Sequence, residues 1–191
     1  APEQYDTNVK TKRGSDKLVE FAIKLPGKDN GEDSVYLPVD AKFPKDIYEQ
    51  LLEAHESGDT KRVETASRNI EQTIRGMAKD IREKYLDPPH TTDFGIMFLP
   101  FESIYGEVIR RSSLLEQLQQ EYHVIVTGPT TLAAILNSLQ MGFRSLAIQK
   151  RSSEVWRILS AVKTEFDKFG GMLEKAQKNL QTANNQLEEV M

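Results

Sequence analysis

The chain has 191 residues, 38% hydrophobic and 28% charged, with 25 basic against 29 acidic side chains and a net charge of -4. That is enough apolar material for a core and too much for a wholly disordered chain, and the length suits one globular domain with appendages. The lack of cysteine excludes disulfide frameworks, thiolate metal sites and cysteine nucleophiles. The acid excess excludes nucleic-acid binding by bulk charge, so any such contact needs a local patch or a metal.

No run reaches the ~18 apolar residues of a membrane span, and the start carries no signal-peptide pattern. Ala1-Pro2-Glu3 lacks an initiating methionine, and Met191 falls inside a helical pattern without a cap. These ends are expected for a piece of a longer protein.

Residues 1–17 are polar and carry Lys10, Lys12, Arg13 and Lys17 around Gly14. They read as a solvated arm or as a surface for backbone phosphates. In the next segment Val19, Phe21, Ile23 and Leu25 alternate with Glu20, Ala22 and Lys24, the pattern of a half-buried strand. Pro26 to Ser34 is a turn. Val35 to Lys42 is a second strand, with Leu37, Val39 and Ala41 on one face and Tyr36, Pro38, Asp40 and Lys42 on the other. The two strands are expected to pair as a hairpin, with Pro38 marking an edge or an irregularity because it has no donor.

Pro44 opens a helix over about 45–55, and Ser57-Gly58-Asp59 ends it. A long helix over about 60–85 follows, with Val63, Ile70, Ile74, Met77, Ile81 and Tyr85 on one stripe. Phe94 to Leu99 reads as a central strand covered on both faces. Two short helices, from Glu102 and from Ser113, lead to a strand over 123–127. Gly128-Pro129-Thr130-Thr131 is a strand-to-helix turn, with Pro129 fitting the first helical turn. Helix continues over about 130–149 and again over 151–190. In the last segment Val155, Leu159, Val162, Phe166, Phe169, Leu173, Ala176, Leu180, Ala183 and Leu187 are spaced 4, 3, 4, 3, a heptad pattern. The fold expected is α/β (α+β): a small mixed sheet of about four strands flanked by helices, with a core over 1–150. The helix over 151–191 packs on that core and extends as a coiled coil.

Candidate chemistry centres on Asp40 and Lys42, which lie two apart on a strand and so project from one face. If the two strands are neighbours, Glu20 approaches Asp40. Two carboxylates on adjacent strands can hold a hard divalent cation, and a nearby lysine can orient water or steady a charged phosphoryl oxygen. A solvent-facing ion pair is the plainer explanation of the same triplet. Glu102, just past a buried strand, reads as a helix-dipole acid or an additional site residue. The Gly128 turn reads as an anion-receiving helix start, or as a cap by Thr127 or Thr130. Arg110, Arg111, Lys12, Arg13 and Lys17 are candidates for DNA-phosphate contact. The histidines His55, His90 and His123 show no ligand spacing.

The stretches Val19 to Gly27 (VEFAIKLPG), Leu37 to Pro44 (LPVDAKFP), Phe94 to Glu102 (FGIMFLPFE) and Thr127 to Leu132 (TGPTTL), with the Phe166 to Leu187 helix, resemble the RmuC family of bacterial DNA recombination proteins. The resemblance covers nearly the whole chain. It implies a core similar to the restriction-endonuclease-like PD-(D/E)xK nucleases, with Glu20 as the first acid of the motif and Asp40 and Lys42 as its D-x-K half. Here Leu18-Val19-Glu20 stands where the family usually has Arg-Pro-Asp, which keeps the carboxylate and loses the proline. Glu3 is the candidate for the extra upstream glutamate that such nucleases often add.

The resemblance further implies Mg²⁺, with Mn²⁺ as substitute, held by Glu20 and Asp40, and catalysis by Glu20, Asp40 and Lys42. It implies an endonuclease acting on recombination or rearrangement intermediates, with DNA as partner. Homo-oligomers through the C-terminal helix are expected. So is a bacterial cytoplasmic location, with the full-length protein held at the inner membrane. The alternative is a non-catalytic structural or DNA-tethering protein on the same fold.

Overall fold

The computed structural model describes residues 2–27 and 34–190. Most of the turn expected between the first two sequence-read strands, residues 28–33, lies outside them. Contacts divide the chain between Ile135 and Leu136 into two units, whereas the sequence places the boundary at 150/151.

The first unit holds a five-stranded sheet in the order of the chain. Its strands are β1 (Tyr5–Val9), β2 (Val19–Pro26), β3 (Ser34–Ala41), β4 (Gly95–Phe98) and β5 (Val124–Thr127). β1, β2 and β3 pair antiparallel, and β3, β4 and β5 pair parallel. The expected hairpin pairing of β2 with β3 is present, and β4 is an interior strand. One strand more is found than the sequence predicts. Tyr5–Val9, part of the polar stretch expected to be a solvated arm, forms an edge strand on β2. Main-chain pairing needs no apolar pattern when one neighbour supplies the ladder.

Pro38 is not at an edge, since β3 is the middle strand. On the β4 side, the Tyr36 N–H donates to His90 O at 3.0 Å. The ladder to β4 begins only at Val39, so the donor that Pro38 lacks falls in the gap between the two.

Helices α1 (Lys45–Ser57), α2 (Thr60–Tyr85), α3 (Glu102–Ile109) and α4 (Ser112–Tyr122) connect the strands. Gly58 ends α1 in the left-handed conformation at φ 66°, where a side chain would be strained. Asp59 then caps α2, its Oδ1 accepting from the N–H groups of Lys61 at 2.9 Å and Arg62 at 3.3 Å. Ala66, Ile70, Ile74, Ala78, Ile81 and Tyr85 form one buried stripe of α2. They pack with Leu51, Ile104, Leu114 and Leu118 from the other helices and with Ala22, Met97 and Val126 from the sheet.

The β2 face assignment fails in one respect. Ala22 is fully buried in this core while Phe21 is exposed. Ala22 pairs with Pro38, so Pro38, and Asp40 two residues on, share the sheet face that packs under the helices.

The second unit, 136–191, consists of α5 (Pro129–Val190) beyond its first turns. The sequence divides this segment into two helices; the structure has one, uninterrupted by Gly142 or by Gly170-Gly171. Its heptad residues Val155, Leu159, Val162, Phe166, Phe169, Leu173 and Leu180 are 45–72% exposed.

Candidate active site at the carboxyl ends of the central strands

The three parallel strands end side by side, and main-chain bonds lock their exits together. The Lys42 N–H donates to Phe98 O at 2.9 Å, and the Leu99 N–H donates to Thr127 O at 2.9 Å. This is the edge at which open α/β sheets place their ligands. Asp40 is the second-last residue of β3, and Lys42 follows the strand end.

Asp40 is 3% exposed. The Lys42 Nζ lies 2.7 Å from its Oδ2, with the lysine side chain 25% exposed. The solvent-facing ion pair is therefore excluded: the carboxylate is inside and the ammonium reaches in from the rim. Burying a carboxylate is costly unless its oxygens are satisfied. Here Oδ2 has no hydrogen-bond partner despite the short ionic distance. The ammonium of Lys42 is thus the charge that offsets the buried carboxylate, and no hydrogen bond of good geometry adds to it at Oδ2.

The β2–β3 register pairs Phe21 with Val39, and one step further sets Glu20 opposite Asp40. Glu20 is exposed where Asp40 is buried. The last residue of α2, Tyr85, reports on both. Its phenol is pushed up to about 12, first by burial, then by the charge of Asp40 and a hydrogen bond to it, then by the charges of Glu20 and Asp80. Sequence reading took Tyr85 as one more member of an apolar stripe. Its hydroxyl beside Asp40 was visible only once α2 and β3 were placed together. The loop after β1 fixes this helix end, with the Thr11 hydroxyl donating to Tyr85 O at 2.8 Å.

Glu102 does not join this group. Its Oε1 accepts from the Thr130 N–H at 2.7 Å. The Thr130 side chain first, and then this main-chain bond, hold its carboxyl below the usual carboxylate range. Glu102 lies in the first turn of α3, and its carboxylate is also the anion that the α5 amino terminus after the glycine turn receives. Gly128 permits the approach, because a Cβ there would lie 2.6 Å from the Tyr105 ring and 2.8 Å from Glu102 Oε2. Thr127 is no cap; its buried hydroxyl points back to Met97 O at 3.5 Å.

The proposed phosphate-contacting cations are largely committed within the protein. The Lys12 Nζ donates to Glu83 O at 2.8 Å, and Arg13 lies 3.8 Å from Asp87. Arg110 pairs with Glu107 at 3.1 Å. Arg111 is mostly buried and bridges Glu71 at 3.3 Å, Ser67 Oγ at 3.2 Å and the Glu107 main chain, tying α3 and α4 to α2. Lys17 is exposed. Among the described residues, no group of three or more His, Cys, Asp or Glu side chains converges as a metal cage. A cation at Asp40 and Glu20 would have two side-chain carboxylates, the sparse oxygen set that suits Mg²⁺, which keeps several waters.

Fold and site together define a mixed α/β protein with a buried acid–lysine pair at the carboxyl ends of its central strands. A sequence model of the RmuC family matches residues 1–191, and the chain belongs to that family. It is 53% identical over 187 residues to a protein of Xylella fastidiosa strain Temecula1 named DNA recombination protein RmuC homolog, covering 98% of this chain and 41% of that protein. Proteins of the same name from Pseudomonas aeruginosa and Chlamydia pneumoniae are 24% and 28% identical, covering 97% and 87% of this chain and 42% and 38% of theirs. The chain thus spans about two-fifths of the length of these relatives. No solved structure matches it. Among the described residues, no helix is long and apolar enough to cross a membrane.

Proposed function

We propose that this chain is the catalytic part of a DNA recombination protein, a metal-dependent endonuclease with a restriction-endonuclease-like PD-(D/E)xK core, acting on recombination or rearrangement intermediates. The observation that carries the reading is the buried Asp40 carboxylate, ion-paired through Oδ2 with the Lys42 ammonium 2.7 Å away at the carboxyl ends of the central strands. The relatives' name, DNA recombination protein, supplies the substrate class.

Asp40 and Glu20 would hold Mg²⁺ or Mn²⁺, which supplies Lewis-acid polarisation of the phosphate and an acidified water. Lys42 reaches in from the rim, so its ammonium can orient the attacking water or hold the charge that grows on a non-bridging phosphoryl oxygen. Tyr85, its phenol pushed up to about 12 by burial and by the charge of Asp40, stays neutral beside the carboxylate at physiological pH. Water adds to phosphorus and one ester oxygen leaves.

The test is calorimetric titration of Mg²⁺ and Mn²⁺ into the chain and its Asp40→Asn variant, with cleavage of branched and single-stranded DNA measured on the same samples. The variant should keep its circular dichroism, lose metal binding and cut at least ~100-fold more slowly. Equal cleavage by the two folded proteins would end the reading. A second reading, a non-catalytic assembly or DNA-tethering protein that associates through α5, is favoured by the exposed heptad stripe.

A further inference from the structure

Beside the acid–lysine pair stand two aromatic rings that the chemistry above does not use. Phe43 directly follows Lys42 after β3, and Phe101 directly precedes α3 after β4. Their ring centroids are 4.8 Å apart with the planes tilted by 37°. They are 44% and 51% exposed. The backbone bond from Lys42 N–H to Phe98 O holds the two segments side by side, so the pair is built into the strand exits. The two rings touch each other, so they form one exposed apolar patch rather than two singly exposed residues.

We infer that Phe43 and Phe101 form a stacking platform for an unpaired nucleobase next to the phosphate held at Asp40 and Lys42, so that the substrate is single-stranded or locally unpaired DNA. This rests on the nuclease reading for the position of the phosphate. Three features select this occupant. A ring face offers favourable contact to any base, while bases in an intact duplex are already stacked and cannot reach it. The cation adjoining the platform in sequence is Lys42, the ammonium that the nuclease reading sets on the phosphate. The acid adjoining it, Glu102, has its carboxylate on the Thr130 N–H at the α5 amino terminus, so its charge is partly offset there. A chain with net charge -4 has little long-range attraction for DNA, so short-range stacking is a fitting source of affinity.

The experiment measures binding in the absence of cleavage. Fluorescence anisotropy of a labelled oligothymidine and of a duplex of equal length is recorded with EDTA present. The proteins are the chain, a Phe43→Ala/Phe101→Ala variant and a Phe43→Trp/Phe101→Trp variant. The chain should prefer the single strand. The alanine pair should lose about tenfold or more of that affinity, with duplex binding unchanged. The tryptophan pair should restore it, with its fluorescence quenched by the oligonucleotide. If the alanine pair does not fold by circular dichroism, Phe43→Leu/Phe101→Leu takes its place, since leucine keeps the apolar volume and loses the ring. Equal single-strand affinity in the chain and the ring-less variant would overturn the inference, as would absence of single-strand binding by the chain. Stacking without Mg²⁺-dependent cleavage would keep the platform and remove the nuclease.

Discussion

Helices α2 and α5 carry the same kind of sequence signal and meet opposite fates. In α2 the apolar stripe is sealed: Ile70, Ile74 and Ile81 are at most 1% exposed. In α5 the more regular heptad stripe stands open, with Phe166 and Leu180 at least 70% exposed. Periodicity therefore fixes that a helix forms and which face is apolar; it is silent on what covers that face. The cover of α2 is the rest of its own unit, α1 and α4 together with the sheet. The α5 stripe has no such cover among the described residues.

The comparison breaks most sharply under truncation. Ile74→Ala should cost about 2–5 kcal/mol, because a buried methyl cluster is lost and a cavity left. Phe166→Ala should stay within ~0.5 kcal/mol in the isolated chain. Urea midpoints at several protein concentrations test both. A loss at Phe166 that grows with concentration would show a second chain on the stripe and would equalise the two helices.

A smaller effect is expected where α5 leaves the first unit. Gly128→Ala places a methyl against the Tyr105 ring and the Glu102 carboxylate, and overpacking of this kind costs about 1–3 kcal/mol. Thermal melting should register the drop. An unchanged midpoint would show that Tyr105 swings aside freely.

The smallest effect is electrostatic. The Glu102 carboxyl is held below its usual value of 4.5 by Thr130. A carboxyl lowered in the folded state adds stability above its unfolded pKa and loses it as pH falls through the folded one. Glu102→Gln should therefore lower the melting temperature at neutral pH and converge on the parent in acid. Parallel curves at all pH values would remove the carboxylate from the capping role.

Much of the candidate site was legible in the strand pattern. Asp40 and Lys42 at alternate positions share a face whatever the fold, and the short connection between the two strands points to pairing. Which face is buried was not legible. Alternation marked Glu20, Ala22, Asp40 and Lys42 as outward, yet Ala22 and Asp40 lie under α2. Strand periodicity separates two faces without naming the one that helices will cover. Glu102 was a cap or a site residue on sequence grounds. Its bond to the Thr130 N–H of α5, a different helix from the one it begins, came only with the packing of α3 on the start of α5.

The sequence by itself determined the elements: four of the five strands, the helices with their glycine and aspartate stops, the heptad stripe and the D-x-K spacing. These follow from side-chain periodicity and turn chemistry, which act over a few residues. Tertiary structure alone decided that Tyr5–Val9 is a strand and that Asp40 is buried beside Tyr85. It alone joined Phe43 to Phe101 and gave Glu102 to the α5 amino terminus. Each joins residues far apart in the chain, and such contacts are set by packing and by the satisfaction of buried polar groups, neither of which a local pattern records.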